Sequence, residues 1–291
     1  LACGDALGAP VEFVDRETIA RSHPDGLRDF IGGGWLNVVP GEITDDTQMT
    51  LGLCNALTIA GVDMNLLTDQ FLAWYRSNPK DIGNTTRRAL AALDAGQPWD
   101  RAGVAGLGNR PIESAAANGA VMRCAPVALR FRGQPGRLVQ ASLDTARITH
   151  TEPRAMWGAV AVNQAIVHLL EGGGLDGVVA AAVAGVDNAE VRDRVLAARG
   201  LDPASIQAGG FVLDTVGAAF WALLNHDTLE DVIVAAVSLG QDAYTTGAVA
   251  GALAGAAYGA SAIAARWLDL LQRREELQDH AARLLALSGG A

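Results

Sequence analysis

AYTTGAVAGALAGAAYGASAIAA, residues 243–265, runs its whole length without a charged side chain. About 20 apolar residues suffice to cross a bilayer, so the stretch has two readings, a membrane span or a buried helix. Its bulk is alanine and glycine rather than the leucine, isoleucine and phenylalanine that drive insertion, and that favours a helix at the centre of a protein core. Gly247, Gly251, Gly255 and Gly259 recur four apart, which places them on one helical face where a second backbone can come close. Each glycine weakens a helix by about 1 kcal/mol relative to alanine, so packing rather than propensity must hold this segment.

A central helix of that kind needs other helices around it. Apolar residues recur at helical spacing over Met49 to Ala60, Leu66 to Tyr75, Arg87 to Leu93, Leu138 to Arg147, Ala155 to Leu170, Glu190 to Ala198 and Phe211 to Leu224. The first residues read as an apolar helix already under way, which predicts that the native N-terminus is missing from this sequence. Asp227 and Glu230 read as a capping box ahead of Val232 to Leu239, and 265–287 has an amphipathic helical pattern. Strand-like alternation is scarce, so the fold class is all-α. Neither a linker nor a repeat divides the chain, which predicts a compact single domain over residues 1–291. Loops rich in glycine, asparagine and proline fall at 32–41, 81–85, 106–119 and 149–153.

The net charge of −10 argues against nucleic acid or an anionic membrane as partner, because both demand clustered lysine and arginine. Excess acid can serve cations instead. Cys3, Cys54 and Cys124 form no CxxC pair and cannot all be bridged, which favours a reducing, cytoplasmic setting over a disulfide scaffold. Nothing in the pattern demands a partner helix, so a monomer is expected.

Three acidic segments carry the candidate chemistry. Thr44-Asp45-Asp46-Thr47 stands directly before an apolar helix, where threonine and aspartate serve equally as caps or as ligands. Gly240-Gln241-Asp242-Ala243-Tyr244-Thr245-Thr246 repeats the arrangement ahead of the central helix. Should the two helix starts converge, the oxygens of Thr44, Asp45, Asp46, Asp242 and Thr245 would suit a hard cation such as Mg²⁺ or Mn²⁺. Glu12 lies among glycine and apolar neighbours. Burial would raise its pKa and fit it for general acid or base work, while a solvated surface glutamate is the alternative.

In order along the chain come Gly4-Asp5-Ala6-Leu7-Gly8 with Glu12, Ile31-Gly32-Gly33-Gly34-Trp35-Leu36, Ile43-Thr44-Asp45-Asp46-Thr47 and Asp81-Ile82-Gly83-Asn84-Thr85. They are followed by Asn118-Gly119-Ala120-Val121-Met122-Arg123, Ile148-Thr149-His150, Val212-Leu213-Asp214-Thr215 and the segment from Asp242 to Gly255. This series resembles the ADP-ribosylglycohydrolase family nearly end to end, and within it the branch that activates dinitrogenase reductase.

The resemblance implies an orthogonal helical bundle with two divalent ions, Mg²⁺ or Mn²⁺, held by Thr44, Asp45, Asp46, Asp242 and Thr245 below an ADP-ribose cleft. It implies an ADP-ribosylated protein as partner, with Glu12 and Asp46 assisting proton transfer and Asp81 beside the leaving guanidinium of a modified arginine. Asn118 and Gly119 match the loop that receives phosphates and ribose, and His150, Met122 and Phe211 match further substrate contacts. Taken on the residues alone, Asp81 reads equally as a cap, Asn118-Gly119 as a turn, and His150 and Met122 as core.

This chain also departs from the family pattern. Tyr244 stands where the family carries a second acid, Ala117 where it commonly has glycine, and Phe211 where an aromatic hydroxyl is preferred. A neutral phenol, with a reference pKa of about 10, is a poorer ligand than a carboxylate, which leaves room for one ion in place of two. Two functions follow as expectations: a metal-dependent hydrolase that frees ADP-ribose from arginine, or a non-catalytic relative that binds ADP-ribose or a nucleotide.

Overall fold

The structure, a computed structural model, describes residues 1–288. Its helices are α1 (Ala2–Gly8), α2 (Arg16–Ser22), α3 (Asp45–Ala56), α4 (Met64–Arg76), α5 (Asn84–Asp94), α6 (Trp99–Leu107), α7 (Ala125–Arg130) and α8 (Pro135–Arg147). The series continues with α9 (Pro153–Leu170), α10 (Leu175–Val183), α11 (Ala189–Ala197), α12 (Val212–Asn225), α13 (Leu229–Val237), α14 (Ala243–Tyr258), α15 (Ala265–Leu268) and α16 (Arg274–Ser288). Among the described residues β pairing is limited to isolated bridges, so the protein is all-α. No helix among them is long and apolar enough to cross a membrane.

The uncharged segment forms α14, which packs against α1, α9, α12 and α13. Its contact with α1 is made backbone to backbone. A Cβ added at Gly4 would stand 1.9 Å from the Gly247 carbonyl oxygen, and one at Gly8 would stand 2.4 Å from the Tyr244 Cα. Any side chain at either glycine would push the two helices apart, and with them the acids that each carries. The other expected contacts of the glycine stripe are weaker. An added Cβ at Gly251 would touch Ile233 at 3.3 Å and one at Gly255 would meet nothing within 4 Å. Gly259, at φ +78°, ends the helix instead of continuing it.

Several boundaries depart from the sequence pattern for local reasons. The helix expected from Met49 begins at Asp45 because Thr44 caps it, and it stops at Ala56 where Leu57 bridges to Val62. Thr228 rather than Asp227 caps α13, accepting from the Asp231 amide at 3.0 Å. The amphipathic stretch 265–287 is broken into α15 and α16 around Arg273, which adopts φ +56°. The expected loop at 106–119 contains the end of α6 and short 3-10 turns at Ile112–Ala115 and Asn118–Arg123. All three cysteines are buried and unpaired.

Candidate active site

Two helix N-termini meet beside α1, and an acid far away in the chain caps each of them. Asp5 is completely buried. It accepts hydrogen bonds from the Thr44 amide (3.0 Å) and hydroxyl (2.6 Å), and from the Thr47 amide (3.2 Å) and hydroxyl. These bonds satisfy amides that the start of α3 would otherwise leave open. Asp45 and Asp46, in the first turn, are thereby spared from capping.

At α14 the capping acid is Glu12, whose Oε2 accepts from the Ala243 amide (2.8 Å) and the Tyr244 amide (3.3 Å). A backbone pairing holds it there, with the Phe13 amide on the Gln241 carbonyl (2.7 Å) and the Gln241 amide on the Val14 carbonyl (2.9 Å). Phe13 and Gln241 both adopt positive φ, +61° and +60°, uncommon for residues with side chains. Asp242 occupies the N-cap position of α14 but caps nothing with its side chain. Its Oδ2 instead accepts from the Asn118 amide group at 2.8 Å, and Asn118 also reaches the Thr215 hydroxyl at 2.9 Å. The Thr245 hydroxyl stands 3.4 Å from Asp46 Oδ1, joining the two helix starts.

Tyr244 closes one side of the cluster. Its ring packs with Ala9, Leu36 and Val38, and its hydroxyl donates to Asp81 Oδ2 at 2.9 Å. Asp81 Oδ1 accepts from the Ile82 amide at 2.7 Å. A small cavity of about 50 Å³, lined by Thr44, Asp45 and Asp81 among others, lies beside this bond. That is room for a water or a bare ion.

The electrostatics of the cluster are those of acids in want of a counter-charge. Asp45 Oδ1, Asp46 Oδ2 and Asp242 Oδ1 are buried and have no hydrogen-bond partner. Burial first, then the charge of Asp242, pushes the Glu12 carboxyl up to about 10, against the pull of the two backbone amides. Burial and the charges of Asp81, Asp5 and Asp242 push Asp45 up to about 8. Asp46 is raised well above the ordinary range by burial and by Asp45, and Asp242 is raised mainly by burial. Orphaned carboxylate oxygens in one buried place suit a hard cation. Among the described residues, however, no three acidic, histidine or cysteine side chains converge on a single ion position. The unpartnered oxygens of Asp45, Asp46 and Asp242 are therefore buried without forming a ready-made three-acid cage.

A pH dependence follows. Raised carboxyl pKa values mean that folding takes up protons, so stability falls as pH rises from the unfolded values near 4 through the folded values. A bound cation would replace those protons. Millimolar Mn²⁺ or Mg²⁺ is expected to raise the melting temperature clearly at pH 8 and little at pH 5, with reversal by chelator. Equal melting curves with and without ion at both pH values would remove the cation from this cluster.

The other sequence-derived residues line one side. The Ala117–Phe211 bridge, with the Asn118 amide on the Gly210 carbonyl (3.1 Å), sets Phe211 beside the Asn118 loop. The Arg154 guanidinium stacks on the Phe211 ring at 5.3 Å. His150 is buried against Gly119, where an added Cβ would lie 2.6 Å from its Cε1. Met122 is buried in the hydrophobic core. Sequence reasoning gave no role to Asp5 or Arg123. The one signal available for Asp5 was an acid inside the otherwise apolar first helix.

The profile of the ADP-ribosylglycohydrolase family matches residues 1–291. The chain is 36% identical to an ADP-ribosyl-[dinitrogen reductase] glycohydrolase of Rhodospirillum rubrum, over 99% of this chain and 94% of that protein. It is 33% identical to an ADP-ribosylarginine hydrolase of Serratia proteamaculans, over 99% of this chain and 77% of that one. Among solved structures, an ADP-ribosylglycohydrolase-related protein complex superimposes with a TM-score of 0.85 at 35% identity, covering 99% of this chain and 94% of the other.

Proposed function

The chain belongs to the ADP-ribosylglycohydrolase family, and from that premise we propose that it hydrolyses the N-glycosidic bond between ADP-ribose and an arginine side chain of a modified protein, assisted by a divalent cation. One observation carries the reading. Three buried carboxylate oxygens without partners, from Asp45, Asp46 and Asp242, are gathered from two helix starts nearly two hundred residues apart. The names of the relatives from Rhodospirillum and Serratia support the substrate class.

Bound to those oxygens with Thr44 and Thr245, Mg²⁺ or Mn²⁺ would supply Lewis acidity toward ribose hydroxyls and water. The remaining steps fall to this chain's own groups. The Asp46 carboxylate, through an oxygen the ion leaves free, is the acceptor for the proton of the attacking water as its oxygen bonds to the anomeric carbon. Glu12, whose pKa burial and the charge of Asp242 raise, is the proton source for the departing guanidine nitrogen. Asp81 orients the guanidinium by charge, with its Oδ2 steadied by Tyr244. Asn118 and Gly119 receive the phosphates and ribose, and Phe211 offers a ring face beside that loop.

The test is release of free ADP-ribose from an ADP-ribosylarginine peptide in chelator and in a series of Mn²⁺ and Mg²⁺ concentrations. Ion-dependent release is expected. No release at any concentration from folded protein would overturn the proposal. Tyr244, whose hydroxyl is spent on Asp81 where the family carries an acid, favours a second reading, a binder of ADP-ribose without turnover. Calorimetry with ADP-ribose separates the two, since binding without release in any ion supports the second.

A further inference from the structure

Arg123 is one of the largest fully buried side chains in the protein, and none of its hydrogen bonds goes to an acid. Its Nη1 donates to the Gly119 carbonyl, and its Nη2 donates to the Thr149 hydroxyl (2.6 Å) and more weakly to the Thr145 carbonyl (3.4 Å). The guanidinium lies over the Phe71 ring at 4.9 Å. One cation thus ties the Asn118–Arg123 turn to the end of α8 and the segment that carries His150.

The hydrogen-bond accounting beyond Arg123 fixes a proton. Thr149 Oγ is buried and accepts from Arg123. Its own proton has one acceptor within reach, His150 Nδ1 at 2.8 Å. Were Nδ1 protonated, the hydroxyl proton would be buried without a partner, a cost of about 1–3 kcal/mol. His150 must then carry its proton on Nε2. That atom has no partner among the described residues and faces Gly119, where an added Cβ would lie 3.0 Å from it.

We propose that Arg123, acting through Thr149, is a positioning residue that holds His150 as a neutral imidazole with Nε2–H presented beside Gly119, as a hydrogen-bond donor to a ligand oxygen. Burial first, and then the charge of Arg123, keeps the His150 imidazole from taking a second proton. On the adjoining elements Thr86 of α5 stands beside Gly119 and Gly103 of α6 lies against the Thr149 backbone, and both are uncharged. The donor is therefore present across the physiological range without titrating. Assigning the oxygen to ADP-ribose rests on the function proposed above.

The tautomer is measured in the ligand-free protein by nitrogen-15 NMR of the imidazole, so it is independent of that assignment. Expected are the Nε2–H form and no titration of His150 from about pH 5 to pH 8. Thr149→Val removes the hydrogen bond at Nδ1, so its nitrogen-15 shift should move to that of an unbonded imidazole nitrogen and ADP-ribose binding should weaken about tenfold. Thr149→Ser, which restores the hydroxyl, should recover both. A protonated Nδ1 or an ordinary titration in the unsubstituted protein would overturn the inference. So would an unchanged Nδ1 shift in folded Thr149→Val. If ADP-ribose fails to bind while the Nε2–H form is found, the functional assignment falls and the relay stands.

Discussion

Asp46→Asn is expected to abolish most hydrolysis, by about a thousandfold, and at the same time to raise the melting temperature measured without divalent ion at pH 8. The two effects have one cause. Asp46 is fully buried, one of its oxygens lacks a partner, and burial and Asp45 are the foremost of the causes that hold its pKa far above normal. An amide keeps the shape and removes the charge, relieving a repulsion on the order of 1–2 kcal/mol. In a chain of this size that is a shift of a few degrees, at roughly 2–4 °C per kcal/mol.

The catalytic loss has the opposite sign because the same charge is the proposed proton acceptor and ion ligand. Transition-state stabilisation of several kcal/mol corresponds to about three powers of ten in rate. At pH 5 the stability gain should be much smaller, and it vanishes only near pH 4, where Asp46 is protonated in the unfolded chain as well. Thermal melts at pH 5 and 8, beside turnover with saturating Mn²⁺, check the pair of effects. A variant that loses stability at pH 8 while keeping its rate would mean that Asp46 is an ordinary structural acid.

The central helix was legible because its composition is extreme. A long uncharged run of alanine and glycine has few other places to go in a chain with so much acid elsewhere. Its end was not legible, because Gly259 reads as the last member of a stripe until its backbone is seen to turn left-handed. The short helices α2, α6 and α10 escaped notice since seven to nine residues give a weak periodic signal, while the equally short α11 was marked by Val191 and Val195 four apart.

The site divides in the same way. Thr44, Asp45, Asp46 and Asp242 could be picked out as acids and hydroxyls at helix starts, and their meeting was suggested by resemblance, not by spacing. Local rules found the Thr44 cap of α3 but misassigned the capping at α14. Asp242 holds the right position but bonds to Asn118, while the acid that caps α14 is Glu12, 231 residues away. Asp5 does the same for α3 across 39 residues. Capping principles name the acceptor a helix needs, but they search for it nearby. Arg123 was invisible for a related reason, since its hydrogen-bonded partners, Gly119, Thr145 and Thr149, are defined only by the tertiary fold.

Tyr244→Asp is expected to increase both the affinity and the number of divalent ions bound at pH 8, and to raise turnover at limiting Mn²⁺ by at least tenfold. The substitution removes a phenol that donates to Asp81 and returns an acid beside Asp45, Asp46, Asp242 and Glu12, all of which already act on the Tyr244 hydroxyl by charge. Without ion the variant should be markedly less stable. It loses the apolar burial of the ring against Ala9, Leu36 and Val38, a loss of about 3–5 kcal/mol for truncating a large aromatic, and it adds one more buried charge to an uncompensated set. Ion binding should recover much of that deficit, because binding to the native state alone stabilises it by mass action. Calorimetric stoichiometry and ion-dependent melting of the two proteins decide the matter. If the variant binds no more ions than its parent and melts lower at every ion concentration, the phenol is a packing residue, and the free oxygens of Asp45, Asp46 and Asp242 must be satisfied by water.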